Sequence, residues 1–282
     1  KNPRPGRLTT RAVRTAGFDK QTLSRRSMKY WIHEEGNKGQ EVRRLQDALG
    51  ISADGDFGPM TRQAVKQYQS DNGLSVDGRV GPQTRQSLEI QIYPGLDISS
   101  HQGKVDWNGV ASSGVVDYCW IKVTEGNTHV QKTIKEYFDG AKKVGIPTGG
   151  YHFARADLHK DPTKEVDNFV KNCPVESGGL KPVLDFEVSV NHDRDSAHAW
   201  VLEFVQQAEQ KLGVPLVIYT GANMIRYSLF NKTDGFDHCP LWIPAYSKKI
   251  FSKGIPKKNY DNWKEWTIWQ WTDQERIPGV NT

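Results

Sequence analysis

Seven short β-rich runs, at 95–99, 118–124, 147–153, 181–187, 215–220, 241–246 and 266–272, alternate with helical stretches. The early runs recur at roughly 25–35 residues, the spacing of βαβ units and a parallel barrel. Upstream of them, a repeat with a period of 23 residues builds a compact helical unit. Together these observations predict an α/β chain: an irregular TIM-like (β/α)5(β)3 barrel with a small N-terminal three-helix domain. The expected division is a basic arm over 1–35, a helical binding domain over 36–90 and a barrel over 91–282.

The chain of 282 residues is long enough for a large domain and a smaller companion. A mean hydropathy of -0.67 and 25% charged residues describe a water-soluble surface. No run approaches the ~18 apolar residues of a membrane span, so stable membrane insertion is not expected. The net charge of +5 is uneven: residues 1–30 hold nine Lys/Arg against Asp19 alone. Basicity confined to one end argues against a nucleic-acid-binding domain. Cys119, Cys173 and Cys239 are widely spaced and form no metal pattern, so free buried thiols are expected, with no metal and no cofactor.

The arm opens Lys1-Asn-Pro-Arg-Pro-Gly-Arg, with two prolines and no apolar anchor, and its first residues are expected to be irregular and mobile. A helical reading is open from Thr10 to Trp31. The arm's charge suits contact with an anionic envelope; the plainer alternative is a solvated tail. In the repeat, Asp54-Gly-Asp-Phe-Gly-Pro-Met-Thr-Arg-Gln63 matches Asp77-Gly-Arg-Val-Gly-Pro-Gln-Thr-Arg-Gln86. Asp-Gly makes a turn, and Pro followed by Thr starts a helix. A preceding helix carries Val42, Leu45 and Leu49 and stops at Gly50. This unit of about 50 residues has no catalytic constellation.

The barrel strands each end on one rim, where the chemistry of such folds sits. The rim residues are Asp97, Lys122 with Glu125, Tyr151 with Phe153, Asp185 with Glu187, Tyr219, Tyr246 and Gln270. In Lys181-Pro-Val-Leu-Asp-Phe-Glu187, Asp185 and Glu187 share one strand face while Phe186 points the other way. Two carboxylates roughly 6–7 Å apart along a strand repel when both are ionised, so one should keep its proton. An acid beside an anion is the pairing that glycoside hydrolysis uses. An acidic strand end that simply faces solvent is the alternative. His33, His101, His152, His192 and His198 make no ligand spacing and are expected to be supporting or surface residues. No G-x-G-x-x-G, P-loop, H-E-x-x-H or G-x-S-x-G occurs.

Two resemblances follow from these residues. Gly39, Val42, Leu45, Gln46, Leu49, the two D-G-x-Φ-G-P-x-T blocks, Tyr68-Gln69 and Asn72-Gly-Leu74 resemble the bacterial peptidoglycan-binding domain of cell-wall hydrolases, which implies targeting. Gly95-Leu-Asp-Ile-Ser-Ser-His-Gln-Gly103, Trp120-Ile-Lys-Val-Thr-Glu-Gly126, Gly149-Gly-Tyr-His-Phe153, Pro182-Val-Leu-Asp-Phe-Glu187, Leu241-Trp-Ile-Pro-Ala245 and Trp269-Gln270 resemble the family 25 glycoside hydrolases, the Chalaropsis-type lysozymes. That resemblance implies hydrolysis of the β-1,4 bond between N-acetylmuramic acid and N-acetylglucosamine. Glu187 matches the general acid, Asp185 its partner carboxylate and Asp97 the acid of the first strand. Tyr151, Tyr219, Trp242, Tyr246 and Gln270 would line the cleft. The family's V-D-x-N-like ending is not reached at Gly279-Val-Asn-Thr282, and Asp273 and Glu275 are the nearest acids. Val183 stands where chitinases of the D-x-D-x-E type carry an acid.

The resulting expectation is a monomeric muramidase acting on bacterial peptidoglycan. A phage endolysin, made in the host cytoplasm and released by another agent, is the leading setting, and a secreted autolysin the alternative. A wall-binding protein without catalysis is the rival from another class. A wall amidase or peptidase would need a metal or a thiol nucleophile.

Overall fold

The computed structural model describes residues 7–12, 34–89, 92–176, 179–188, 194–229, 233–246, 255, 263, 266–273 and 276–280. The first of these segments departs from expectation. Strand β1 (Arg7–Ala12) is part of the sheet, so the irregular start expected from Lys1 to Arg7 fails at Arg7, and residues 1–6 lie outside the described residues. The helical reading from Thr10 fails at Ala12, still inside this strand, and the remainder of that stretch lies outside the described residues, as do His33 and His192. A backbone ladder explains the strand: β1 lies antiparallel between the first and last barrel strands, and main-chain pairing needs no apolar side-chain pattern.

Helices α1 (Gln40–Ala48), α2 (Pro59–Asp71) and α3 (Pro82–Ser87) follow. The 23-residue repeat is also a repeat of hydrogen bonds. Gln46 Nε2 donates to Asp54 Oδ1 (2.7 Å), Asp56 O (3.0 Å) and Thr61 Oγ1 (2.9 Å), while Gly55 N donates back to Oε1 (2.8 Å). Gln69 does the same with Asp77 Oδ1 (2.9 Å), Arg79 O (2.8 Å), Thr84 Oγ1 (3.1 Å) and Gly78 N (2.9 Å). Gly55 (φ 79°) and Gly78 (φ 75°) take the left-handed conformation that each Asp-Gly turn requires. The apolar residue of each block, Phe57 and Val80, is fully buried with Val42, Leu45 and Val65.

The barrel strands are β2 (Ile92–Ile98), β3 (Tyr118–Glu125), β5 (Thr148–Phe153), β6 (Val183–Asp185), β7 (Val217–Tyr219), β8 (Leu241–Pro244) and β9 (Ile268–Thr272). They pair in parallel in chain order. The short β4 (His129–Val130) pairs antiparallel with the end of β3. Because β1 pairs with both β2 and β9, the ring of strands closes. Ala12 is opposite Ile92, so residues 13–91 leave and re-enter at the N-terminal end of the parallel strands. The helical unit touches that end, with the Arg44 guanidinium 5.4 Å from the centre of the Trp266 ring.

Helices α4 (Trp107–Ser113), α5 (Ile134–Lys143), α6 (Thr163–Asn172) and α7 (Arg194–Leu212) follow β2, the β3–β4 pair, β5 and β6. After β7 the described chain makes one π-helical turn, Met224–Ser228. Met224 and Ile225 are its buried pair, too short an apolar face for a longer amphipathic helix.

Strand alternation divides the core in two. Leu96, Ile98, Cys119, Ile121, Leu184, Phe186, Ile218, Leu241, Ile243 and Trp269 pack outward with the helices. Tyr118, Trp120, Val183, Val217, Tyr219, Trp242 and Ile268 fill the barrel interior. Gly95 makes room for that filling: a Cβ there would lie 1.9 Å from the Tyr118 ring. At Gly149 a Cβ would come within 2.7 Å of Trp120 Nε1.

Candidate active site

One step beyond this filled interior, the inward residues become polar. Asp97 follows Gly95, Lys122 follows Trp120, Asp185 follows Val183, and Gln270 follows Ile268, each two residues later on its strand. The first three of these open into a cleft of about 420 Å³ lined by Asp97, Ser99, His101, Gln102, Lys122, Glu125, Tyr151, Phe153, Arg155, Asp185 and Glu187, with Ile98 and Val188. A small hollow beneath it is lined by Asp97, Tyr151, Val183, Asp185, Tyr219, Trp242 and Gln270. Asp97, Tyr151 and Asp185 belong to both, so they stand where floor meets cleft.

Asp185 ends β6 and is 6% exposed, while Glu187, two residues on, is half-buried and faces the open cleft. Phe186 between them is fully buried and stacks on Trp200 of α7 at 5.9 Å. That packing turns the two acids toward the same side of the strand. Burying a side chain of this size contributes about 1.5–3 kcal/mol, enough to hold the register of a three-residue strand.

Gln270 organises the floor. Its Nε2 donates to Asp97 Oδ2 at 3.0 Å, and its Oε1 accepts from the Tyr219 hydroxyl at 3.0 Å and from the Tyr246 hydroxyl. With its oxygen engaged by two hydroxyls, the amide is held in one orientation and presents a fixed donor to Asp97. Tyr219 meets Trp242 edge-on at 5.1 Å, and Trp242 lies 4.7 Å from Trp120. Tyr246 stands apart from the lining residues: it is 46% exposed and reaches the site through Gln270. Tyr151 and Phe153 line the cleft, while Tyr219, Trp242 and Gln270 line the hollow beneath it.

The opposite wall carries paired charges. Lys122 Nζ lies 2.6 Å from Glu125 Oε2 and 4.6 Å from the centre of the Phe153 ring. Burial alone would raise the Glu125 carboxyl, but the Lys122 ammonium and the Arg155 guanidinium outweigh it and hold the carboxyl below its ordinary range. Arg155 reaches Glu125 at 3.3 Å and grips Asp157 with two 2.8 Å bonds.

Arg155, Ser99, His101 and Gln102 line the cleft although the rim reading did not single them out. Arg155 lies just past the strand end, beyond the reach of period-two counting; a base following an aromatic strand terminus was the available signal. His152, expected in a supporting role, is fully buried between Thr124 Oγ1 and Glu165 Oε2, each at 2.8 Å. Burial lowers its pKa, so it is neutral at pH 7. Glu165 also accepts from Arg155 N at 3.0 Å and lies 2.7 Å from His159 Nδ1, which fixes the loop carrying Arg155.

The closed ring of strands with acids at its rim is an α/β barrel, and comparison with known proteins gives the family. The profile of the glycosyl hydrolases family 25 matches residues 96–280, and that of a peptidoglycan binding domain matches residues 38–88. The chain belongs to the family 25 glycosyl hydrolases, with a peptidoglycan-binding domain on the N-terminal side of the matched region. Over 187 residues it is 34% identical to the autolytic lysozyme of Clostridium acetobutylicum, covering 66% of this chain and 52% of that protein. Over 198 residues it is 26% identical to lysozyme M1 of Streptomyces globisporus, covering 66% of this chain and 64% of that protein. Both matches span less than two thirds of the relative. Among solved structures, the family 25 lysozyme of Aspergillus fumigatus is similar with a TM-score of 0.59 and 31% identity, over 66% of this chain and 90% of that one.

Proposed function

We propose that this chain is a muramidase that hydrolyses the β-1,4 bond between N-acetylmuramic acid and N-acetylglucosamine in bacterial peptidoglycan. The observation that carries the reading is that Asp185, the last residue of β6, and Glu187, two residues beyond it, line one open cleft. Glu187, half-exposed beside solvent, is the general acid that protonates the leaving glycosidic oxygen. Asp185, nearer the floor, faces the positive charge that develops at the sugar's anomeric carbon. It either stabilises that centre directly or orients the substrate's own N-acetyl group for attack. Asp97, held by Gln270, places a further carboxyl in the floor beside it. Lys122 and Arg155 give the cleft cations suited to the carboxylates of a muramic acid lactyl group and its stem peptide.

The relatives named as lysozymes support this activity. The domain division that fits it is a wall-targeting unit over 36–90 and a catalytic barrel over 91–282 joined by β1. We read the barrel as a (β/α)5(β)3 design with β1 closing its ring. For the setting, the autolytic relative supports turnover of a bacterium's own wall over the phage endolysin that the sequence reading ranked first.

The test is digestion of purified peptidoglycan by the full chain, with reducing ends counted and muropeptides weighed. New muramic acid reducing ends that vanish in Glu187→Gln are the expected result. Equal release by that variant would overturn the assignment of the acid. Free amino termini without new reducing ends would replace a glycosidase with a peptidase or amidase.

A further inference from the structure

A second cluster of reactive side chains lies at the other end of the barrel, away from the cleft. Glu209 stands in the last turn of α7, and His238 and Cys239 lie just before β8 begins at Leu241. The Cys239 sulfur is 3.6 Å from His238 Nε2 and 3.6 Å from Glu209 Oε1, and Nε2 is 3.2 Å from that same oxygen. Among the described residues, this is the one group of three such side chains whose ligating atoms all lie within 4.8 Å of one another.

These separations have a specific meaning. Zinc binds sulfur at about 2.3 Å, imidazole nitrogen at about 2.0–2.1 Å and carboxylate oxygen at about 2.0–2.2 Å, in a tetrahedron. The edges of such a tetrahedron are about 3.6 Å for sulfur to nitrogen, about 3.5 Å for sulfur to oxygen and about 3.3 Å for nitrogen to oxygen. The three atoms therefore already form one face of a zinc-sized tetrahedron. We propose that Glu209, His238 and Cys239 bind a divalent zinc-class cation that fastens the end of α7 to the start of β8.

The surroundings fit a structural site. Cys239 is buried and held by its own backbone: its N–H donates to Phe236 O at 3.0 Å, and its carbonyl accepts from Trp263 Nε1 at 3.0 Å. Glu209 Oε1 also accepts from Leu216 N at 2.9 Å, a bond that orients the carboxylate as outer partners do in metal sites. His238 is half-exposed, which gives an ion an entry path and leaves the fourth position to water. On binding, the thiol proton is released to solvent and His238 ligates as the neutral imidazole through Nε2. A mixed sulfur, nitrogen and oxygen set favours zinc or cobalt over magnesium or calcium, which prefer oxygen alone. A thiol nucleophile is the competing use of such a trio. Burial and the Glu209 carboxylate push the Cys239 thiol well above its ordinary range, so it is not a thiolate near pH 7. Sequence spacing missed the cluster because Glu209 lies about 30 residues upstream of the adjacent His-Cys pair.

The test titrates the full-length protein, freed of metal by a chelator and returned to chelator-free buffer, with Co2+. One equivalent should bind and produce a thiolate-to-cobalt charge-transfer absorption in the near ultraviolet, displaced by Zn2+. Saturating Zn2+ should raise Tm by a few degrees, as a ligand of the folded state does. His238→Gln, a change at a half-exposed position that leaves folding intact, should weaken Co2+ binding at least tenfold and remove the Zn2+ shift in Tm. Cys239→Ser should abolish the absorption. No absorption and no shift in wild type would overturn the proposal, as would an absorption that survives in both variants.

Discussion

The two ends of the barrel use the same strands by opposite rules. Toward the N-terminal end, the inward positions Gly95, Tyr118, Gly149, Val183, Val217 and Ile268 are apolar or bare, and they interlock. Two residues further along, five of these six strands present Asp97, Tyr151, Asp185, Tyr219 and Gln270, all carrying polar tips into a cleft floor. A shift of one strand period, about 6–7 Å, thus separates packing from chemistry. The lesson is that the packed layer positions the polar one: each rim side chain inherits its direction from a buried neighbour on its own strand. Mutations at the two levels should therefore separate into rate effects and stability effects.

The largest separation is expected at Glu187. Glu187→Gln removes the proposed proton donor, a half-buried side chain on the cleft wall, so activity should fall ~10²–10⁴-fold while Tm stays within a degree or two of wild type. Reducing-end release and thermal unfolding measured on one preparation decide it. A Tm drop large enough to explain the lost rate would break the comparison. Trp120→Ala tests the layer below. It removes a ring packed against Tyr118 and Trp242, together with the 3.0 Å bond from Trp120 Nε1 to Lys181 O. A cost of about 3–5 kcal/mol in urea unfolding is expected. Gln270 sits on the boundary and should show both effects in smaller measure. Gln270→Ala strips Asp97 of a donor and two tyrosines of an acceptor. We expect about 1–3 kcal/mol of lost stability and roughly tenfold lower activity. Activity that falls with no change in stability would place Gln270 wholly in the rim.

The sequence made the rim legible because period two is a strong rule on strands buried on both sides. The Val183, Asp185, Glu187 face and the Leu184, Phe186 face separate in the structure as alternation requires. The repeat was legible for a different reason: its Asp-Gly turns and Gln46 and Gln69 clamps are local, closing over 8 to 15 residues. What the sequence hid depends on long-range backbone pairing or on loops. Arg7-Leu-Thr-Thr-Arg-Ala12 has little apolar pattern, and its ladder partners lie some 80 and 260 residues away. Arg155 is directed by Glu165 through a loop amide, and no periodicity marks such a contact.

The smallest effect we expect lies at the packed end and reverses the usual sign for an aspartate. Asp117 immediately precedes β3, its backbone N–H bonded to Pro94 O at 2.8 Å. Burial with no compensating cation pushes its carboxyl up to about 7 from an ordinary 3.8. The folded state therefore holds this proton more tightly than the unfolded chain does. Below pH 3.8 both states are protonated and the residue costs nothing on this account. Between 3.8 and 7 the unfolded state ionises first, so stability declines as pH rises, and above 7 the penalty is constant. Asp117→Asn keeps the shape and removes the charge. It should leave Tm unchanged near pH 3.5 and raise stability at pH 8 by on the order of 1 kcal/mol, since the partly exposed carboxyl keeps some solvation. Thermal unfolding of both proteins across that range gives the answer. An equal difference at the two pH values would mean that the carboxylate is already solvated in the native state. In that case the packed end would tolerate charge as the rim does.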